Sequence, residues 1–180
     1  MLSPMNAGSR PAADVVTLRD GTPVLLRPIR ADDEARMAAF HAGLSPRSVH
    51  QRYFHVSSLA QRITQSRLAL TCRVDPALGL ALVGERGDDG GVLGLGLLTR
   101  TDPTAAEVAL LVMDHWQGKG LGRALLRRLL HEARALGLRR LHGDMLADND
   151  AMRAVMRHHG FVVAAVPGDA AVLRAELDLS

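Results

Sequence analysis

The sequence predicts a mixed α/β domain of the α+β kind, with a central sheet flanked by helices, and three observations carry that prediction. Short apolar or alternating stretches at 78–84, 92–99, 107–113, 140–146, 161–166 and 172–177 read as strands. One long segment, from about Gly120 to Leu136, repeats its apolar residues at helical spacing. Glycine-rich punctuation separates the two kinds of segment. The chain has 180 residues, 47% of them hydrophobic. That suits one domain, which at this length buries roughly 70% of its unfolded surface without staples.

Residues 1–14 hold Ser, Pro, Asn, Gly and Arg without periodicity and read as a flexible tail, leaving 15–180 as the domain. Thr22 to Arg30 reads as a strand after the Asp20-Gly21 turn, and Pro23 and Pro28 make it an edge or first strand. Asp32 or Asp33 is placed to cap a helix reaching about Ala42, with Met37 and Phe40 inward and Gly43 at its end. Ser45-Pro46 joins an N-cap residue to a proline at the first helical position and opens a helix toward Tyr53. A further helix is expected from Ser58 to Leu70. The strand Leu78 to Gly84 leads through a hairpin turn, Asp88-Asp89-Gly90-Gly91, into Val92 to Thr99. There Gly94 and Gly96 weaken the strand or mark a close approach. Glu107 to Met113 is almost continuously apolar, as in a strand buried on both faces. On the long helix, Leu121, Leu125, Leu129, Ala133 and Leu136 share one face, while Arg123, Arg127 and Arg134 point away; Gly137 ends it. Arg140 to Leu146 is a strand and Asn149 to His158 a helix stopped at Gly160. Phe161 to Val166 and Val172 to Leu177 supply the last two strands.

Composition narrows the function classes. The net charge is only +3, Lys119 is the only lysine, and aromatic residues are 3% of the chain. The arginines are scattered rather than gathered in a stripe, which argues against a nucleic-acid partner. No apolar run approaches the ~18 residues of a membrane span, and the N-terminus has no signal-peptide pattern. A soluble, cytoplasmic protein without membrane contact is expected. Cys72 is the only cysteine, so an intramolecular disulfide is impossible, and it reads as a small core residue or a half-exposed thiol. The eight histidines show no metal-ligand spacing, and no metal is expected.

The informative segment runs from Val112 to Arg123. A buried strand feeds a glycine-rich turn, which feeds the strong helix. Successive backbone N–H groups and the helix N-terminus suit a phosphate or pyrophosphate; a tight turn holding no ligand is the other reading of the same residues. A P-loop is ruled out because Lys119 is followed by glycine with no Ser or Thr after it. The alternating Gly118, Gly120 and Gly122 do not make a dinucleotide fingerprint. Trp116 is placed to wedge the loop against the core.

Gln117, Gly120 and Gly122 do have the spacing of the acetyl-CoA loop of the GNAT superfamily of N-acetyltransferases, which the segment resembles. Asn149-Asp150-Ala151-Met152 through His158-His159-Gly160-Phe161 is similar to that family's later helix, which starts at an Asn and ends in Gly-Phe. A finer resemblance covers the front half. Leu18-Arg19-Asp20-Gly21, Leu26 to Arg30, Asp32-Asp33-Glu34, Leu44 to Ser48 and Arg52-Tyr53-Phe54 resemble the catalytic domain of bacterial Pat-type protein lysine acetyltransferases. Together the matches span residues 18 to about 177. Pat-type proteins usually join this domain to a regulatory or synthetase-like one, whereas these 180 residues are expected to hold the acetyltransferase domain alone.

The resemblance implies a GNAT fold, with a mixed, mostly antiparallel sheet, and acetyl-CoA as co-substrate. Backbone groups of Leu111 and Met113, flanking Val112, would hold the pantetheine arm. Gln117, Gly118, Lys119, Gly120, Leu121, Gly122 and Arg123 would cradle the pyrophosphate, and Asn149 would contact the cofactor near the arm. Met152 either touches the cofactor or joins Met156 in a core stripe. The implied acceptor is a primary amine, expected to be a lysine of a protein such as an acyl-CoA synthetase. A small-molecule amine and a catalytically weak acyl-CoA sensor are the alternatives, and the chain is expected as a monomer or homodimer.

Glu107 is the expected general base. It is the one charge in an otherwise apolar strand, and burial would raise its pKa into a useful range. A strand-end glutamate facing solvent is the other reading of the residues, and the Pat-type resemblance adds weight to the base. Glu107 to Met113 spans roughly 20 Å at ~3.3 Å per residue, comparable to an extended pantetheine arm, so the thioester falls back toward Glu107. Many relatives place an acid tyrosine four residues before the Gly-Phe glycine. Here that position is Met156, so no general acid is named. His158 and His159 read as helix-end caps.

Overall fold

The computed structural model describes residues 11–54, 58–62, 64, 70–87 and 90–179. Its strands are β1 (Asp14–Thr17), β2 (Pro23–Pro28), β3 (Gly79–Glu85), β4 (Val92–Arg100), β5 (Ala105–Val112), β6 (Arg140–Leu146), β7 (Val162–Val166) and β8 (Asp169–Asp178). They form one sheet in the order β1-β2-β3-β4-β5-β6-β8-β7. Every neighbouring pair is antiparallel except β5 with β6, so the mixed, mostly antiparallel sheet is as expected. The helices are α1 (Glu34–Ala42), α2 (Pro46–Tyr53), α3 (Leu59–Arg62), α4 (Leu121–Ala135) and α5 (Asp150–His158).

The sheet carries a core on each face. On one, Leu121, Leu125, Leu129 and Ala133 of α4 and Met156 of α5 pack on Val24, Leu82, Ala106 and Val108. On the other, Met37 and Phe40 of α1 and Val49 of α2 cover Ala81, Val83, Leu95 and Leu111. Strand β5 thus sends Val108 to one core and Leu111 to the other, which is why its sequence is apolar almost throughout. Gly94 and Gly96 mark a close approach: a side chain at either would crowd Leu121, Leu125 or Leu129.

The caps follow the sequence in part. Ser45 Oγ accepts the Ser48 N–H at 3.2 Å, and Asn149 Oδ1 accepts the Met152 N–H at 3.1 Å. Asp33 holds the N-cap position of α1, yet its carboxylate caps nothing in that helix. It accepts the Arg30 N–H and two bonds from the buried Arg27, which also grips Glu85 of β3. Strand β1 is an addition to the expected elements: it is four residues long with only Val16 turned inward, too short for periodicity to register. Most of the tail expected over 1–14 lies outside the described residues, although Asp14 itself opens β1. The helix expected from Ser58 to Leu70 is seen at Leu59–Arg62, and much of its remainder lies outside them, as do Asp88 and Asp89 of the expected turn. Cys72 is a core residue, and burial, with the Asp33 and Glu34 charges adding, pushes its thiol up to about 11.

Candidate active site

The site follows from the one parallel pairing. β4 tracks β5 without interruption from Arg100↔Ala106 to Gly94↔Val112. β6 pairs with β5 only at Ala105↔Arg140, Ala106↔Leu141 and Glu107↔His142, then continues alongside β8. Past Glu107 the two strands part, and one edge of β5 has no ladder partner among the described residues. A cavity of about 480 Å³ opens there, a volume in the range of small-molecule sites.

Which main-chain groups face the opening is set by alternation along the β4–β5 pair. The Met113 N–H is donated to the Leu93 carbonyl at 2.9 Å, and Leu111, two residues back, directs its groups toward β4 as well. The residues that turn N–H and carbonyl to the open edge are therefore Leu110 and Val112. In keeping with this, the Val112 carbonyl accepts a bond from Gln117 Nε2 at 3.0 Å. This corrects the expectation that Leu111 and Met113 present the backbone to an arm: the parity is off by one, because only the partner strand's register fixes it.

At the far end of β5, Asp114–Trp116 forms a 3-10 turn that leads into the glycine loop. Gly118 and Gly120 adopt φ of +73° and +101°, a region open to glycine at little cost. Gly120 is the N-cap of α4 and supplies no side-chain cap. The first N–H groups of that helix thus remain available for an anion, and space stands open where a Gly118 side chain would project. The β1–β2 turn buttresses the loop through Arg19 N–H to the Lys119 carbonyl at 3.0 Å. Lys119 Nζ lies 4.4 Å from the Trp116 ring centroid and 3.0 Å from Asp20, whose carboxyl its hydrogen bond holds down near 2. Trp116 is half-buried against the α4-side core, as its wedge role requires.

The cavity brings together Glu107, Leu111, Val112, Gln117, Gly118, Gly120, Gly122, Arg123, Asn149 and Met152. It does not include Met113, Lys119 or Leu121. Leu121 is fully buried in the core, so it can offer the site only its main-chain N–H. Met156 is likewise fully buried.

Glu107 sits where β5 and β6 part, but its side chain is exposed. The burial that its apolar neighbours in sequence lead one to expect is not found there. Ala106 and Val108 face the α4 core, which turns Glu107 to the opposite face, beyond the cover that α1 and α2 give Leu111. The other carboxylate lining the cavity is Asp144. Arg174 holds it at 2.7 Å through both oxygens and keeps it below the usual carboxylate range. Among the described residues Glu107 makes no ion pair, unlike Asp144. Sequence reasoning found no role for the α2 wall, Ser48 and Gln51 to Phe54. Its visible signals, Ser48 and Arg52-Tyr53-Phe54, lie inside the Pat-type resemblance, which gives them no role. Phe54 ends α2 in a left-handed conformation at φ 61°, rare for a bulky residue.

Known proteins share this arrangement. The chain is 31% identical over 158 residues to an acetyltransferase of Pseudomonas aeruginosa, covering 86% of this chain and 83% of that one. It is also 31% identical over 166 residues to the acetyltransferase Pat of Mycolicibacterium smegmatis, covering 91% of this chain and 48% of Pat, about half its length. In three dimensions it matches the GNAT domain of S. lividans PAT with a TM-score of 0.85 and 28% identity, over 94% of this chain and 99% of that one. Residues 24–162 match the family described as the acetyltransferase (GNAT) domain. With the family match spanning most of the sequence and a 31% identical relative covered over most of its length, the chain belongs to the GNAT acetyltransferase family.

Proposed function

We propose that the protein transfers an acetyl group from acetyl-CoA to a primary amine, the side-chain amine of a protein lysine, with Glu107 as general base. The observation that carries this is the parting of β5 from β6 just past Glu107, with an open strand edge, an anion-ready loop and a carboxylate that makes no ion pair among the described residues along one cavity. When bound, the co-substrate supplies an acetyl group activated as a thioester. The open edge at Leu110 and Val112 would receive its amide-bearing arm as an added strand, with the pyrophosphate at the N–H groups of Gly118 to Arg123. Near Glu107, a main-chain N–H of the same edge would polarise the acetyl carbonyl. Glu107 takes the proton from the incoming ammonium, directly or through one water. The Pat-type resemblance of the front half favours a lysine acceptor, and no metal enters the proposal.

A second reading, acyl-CoA binding without turnover, is favoured by one feature. Met156 stands fully buried where many relatives carry their acid tyrosine. CoA release from acetyl-CoA, with a purified acyl-CoA synthetase and a panel of small amines offered in parallel, separates the readings. Release with the protein, together with acetylated lysine on it, is the expected result. Release only with a small amine moves the acceptor class. Binding of acetyl-CoA without release under any condition supports the sensor.

A further inference from the structure

Between β5 and the glycine loop, Asp114 reaches across the fold to the start of α2. Its Oδ2 accepts the Ser45 main-chain N–H at 2.9 Å, and its Oδ1 accepts the hydroxyls of Ser45 at 2.6 Å and Ser48 at 2.9 Å. Ser48, itself 5% exposed, also accepts a bond from Gln117 Nε2 at 2.9 Å. The same Gln117 amide donates to the Val112 carbonyl on the open edge of β5. Burial works against charge on Asp114, yet the bonds from Ser45 and Ser48 outweigh it and hold the carboxyl below its ordinary value. The tie is therefore charge-assisted, the stronger kind of hydrogen bond. A second contact pins the same turn: a side chain at Gly43 would come within 2.6 Å of Met113 Cε, so the α1–α2 connection lies directly on the end of β5.

We propose that Asp114 is a positioning residue that fastens α2 to the cofactor loop, and that Gln117 and Ser48 transmit occupancy of the β5 edge to α2. The inference rests on the acetyl-CoA reading of the cavity. A ligand amide that donates to the Val112 carbonyl shares that acceptor with Gln117 and weakens its hold there, and the other bond of Gln117 goes to Ser48. Ser48 shares Asp114 with Ser45, the N-cap of α2. That helix carries Gln51 to Phe54 into the cavity, so filling the cofactor end alters the wall that an acceptor meets. The linkage is reciprocal, as binding thermodynamics requires.

The test is hydrogen exchange of the α2 amides at 50–53 in the full chain, without and with saturating CoA. CoA binding is measured separately by calorimetry for the wild type, Asp114→Asn and Ser48→Ala. In the wild type, CoA is expected to change α2 exchange by about fivefold, the net scale of one neutral hydrogen bond such as those Gln117 makes. In both variants, bound CoA is expected to leave α2 exchange within about twofold of its CoA-free rate, the coupling having been removed. A merely structural role for Asp114 raises exchange equally with and without CoA and preserves the wild-type ratio, which overturns the proposal. A wild type that binds CoA with no change in α2 also overturns it and leaves the cofactor reading intact. A wild type that binds no CoA removes both.

Discussion

Replacing Arg27 with methionine tests the energetics that hold α1 on the sheet. All five N–H groups of the Arg27 guanidinium are engaged: Nε and Nη2 on Glu85, Nη1 and Nη2 on Asp33, and Nη1 on the Pro28 carbonyl. Arg27 and Asp33 are each 2% exposed. Removing one partner of such a buried pair costs ~3–5 kcal/mol, because the remaining charge is stranded in the interior. Arg36 still reaches Asp33 and Glu85 at 3.1 and 3.0 Å, but from a half-exposed position. That places Arg27→Met toward the lower end, about 3 kcal/mol, or about 6–12 °C in Tm for a domain of this size. Urea unfolding followed by circular dichroism reads it, and a loss below about 1 kcal/mol refutes the reasoning. Substituting Asp33 and Glu85 with leucine in the same chain should recover much of the loss, since apolar replacement of a whole buried ionic group is often neutral. The acid limb follows too. Burial opposes ionisation of Asp33, but the bonds from Arg27, Arg30 and Arg36 hold it near 2 against an ordinary 3.8. Its stabilisation is therefore complete above about pH 4 and is lost as pH falls toward 2. In Arg27→Met, burial acts with less opposition, and acid unfolding moves to higher pH.

Three further outcomes are expected. Leu125→Ala, at a wholly buried position of α4 under Gly94 and Gly96, should cost ~2–5 kcal/mol in the same unfolding assay. Lys119→Gln, which mimics acetylation of the chain's only lysine, removes the Asp20 ion pair and the contact with Trp116. It should weaken CoA binding about two- to fivefold by calorimetry, the scale of a surface ion pair. Cys72, buried with its thiol pushed up to about 11, should resist a thiol reagent at pH 8 until denaturant is added; fast modification of the native protein contradicts its placement.

The parts of this fold that were legible in the sequence are those set by neighbours in the chain. α4 announces itself through Leu121, Leu125, Leu129 and Ala133 on one face, the loop through three glycines, and α2 through Ser45-Pro46. Where distant residues decide, sequence reasoning runs out. Arg27 meets Glu85 across 58 residues, and Ser45 meets Asp114 across 69. Nothing local in either segment marks those meetings. The edge that Leu110 and Val112 present depends on how β5 registers against β4, which the resemblance does not carry when it implies Leu111 and Met113. The burial that singles out Glu107 in the sequence is absent from the structure. One charge among apolar residues suggested burial, whereas the side chain is exposed at the point where β6 departs.

The central claim, that Glu107 is the base at the parting of β5 and β6, is tested most directly by Glu107→Gln. CoA release is followed at neutral pH with an acceptor that the wild type acetylates, and CoA affinity is measured on the same preparations. Turnover is predicted to fall by ~10²–10⁴, the usual reach of a general base, with CoA affinity within about twofold of the wild type. Undiminished turnover in the variant would contradict the claim, as would a loss of activity matched by an equal loss of CoA binding.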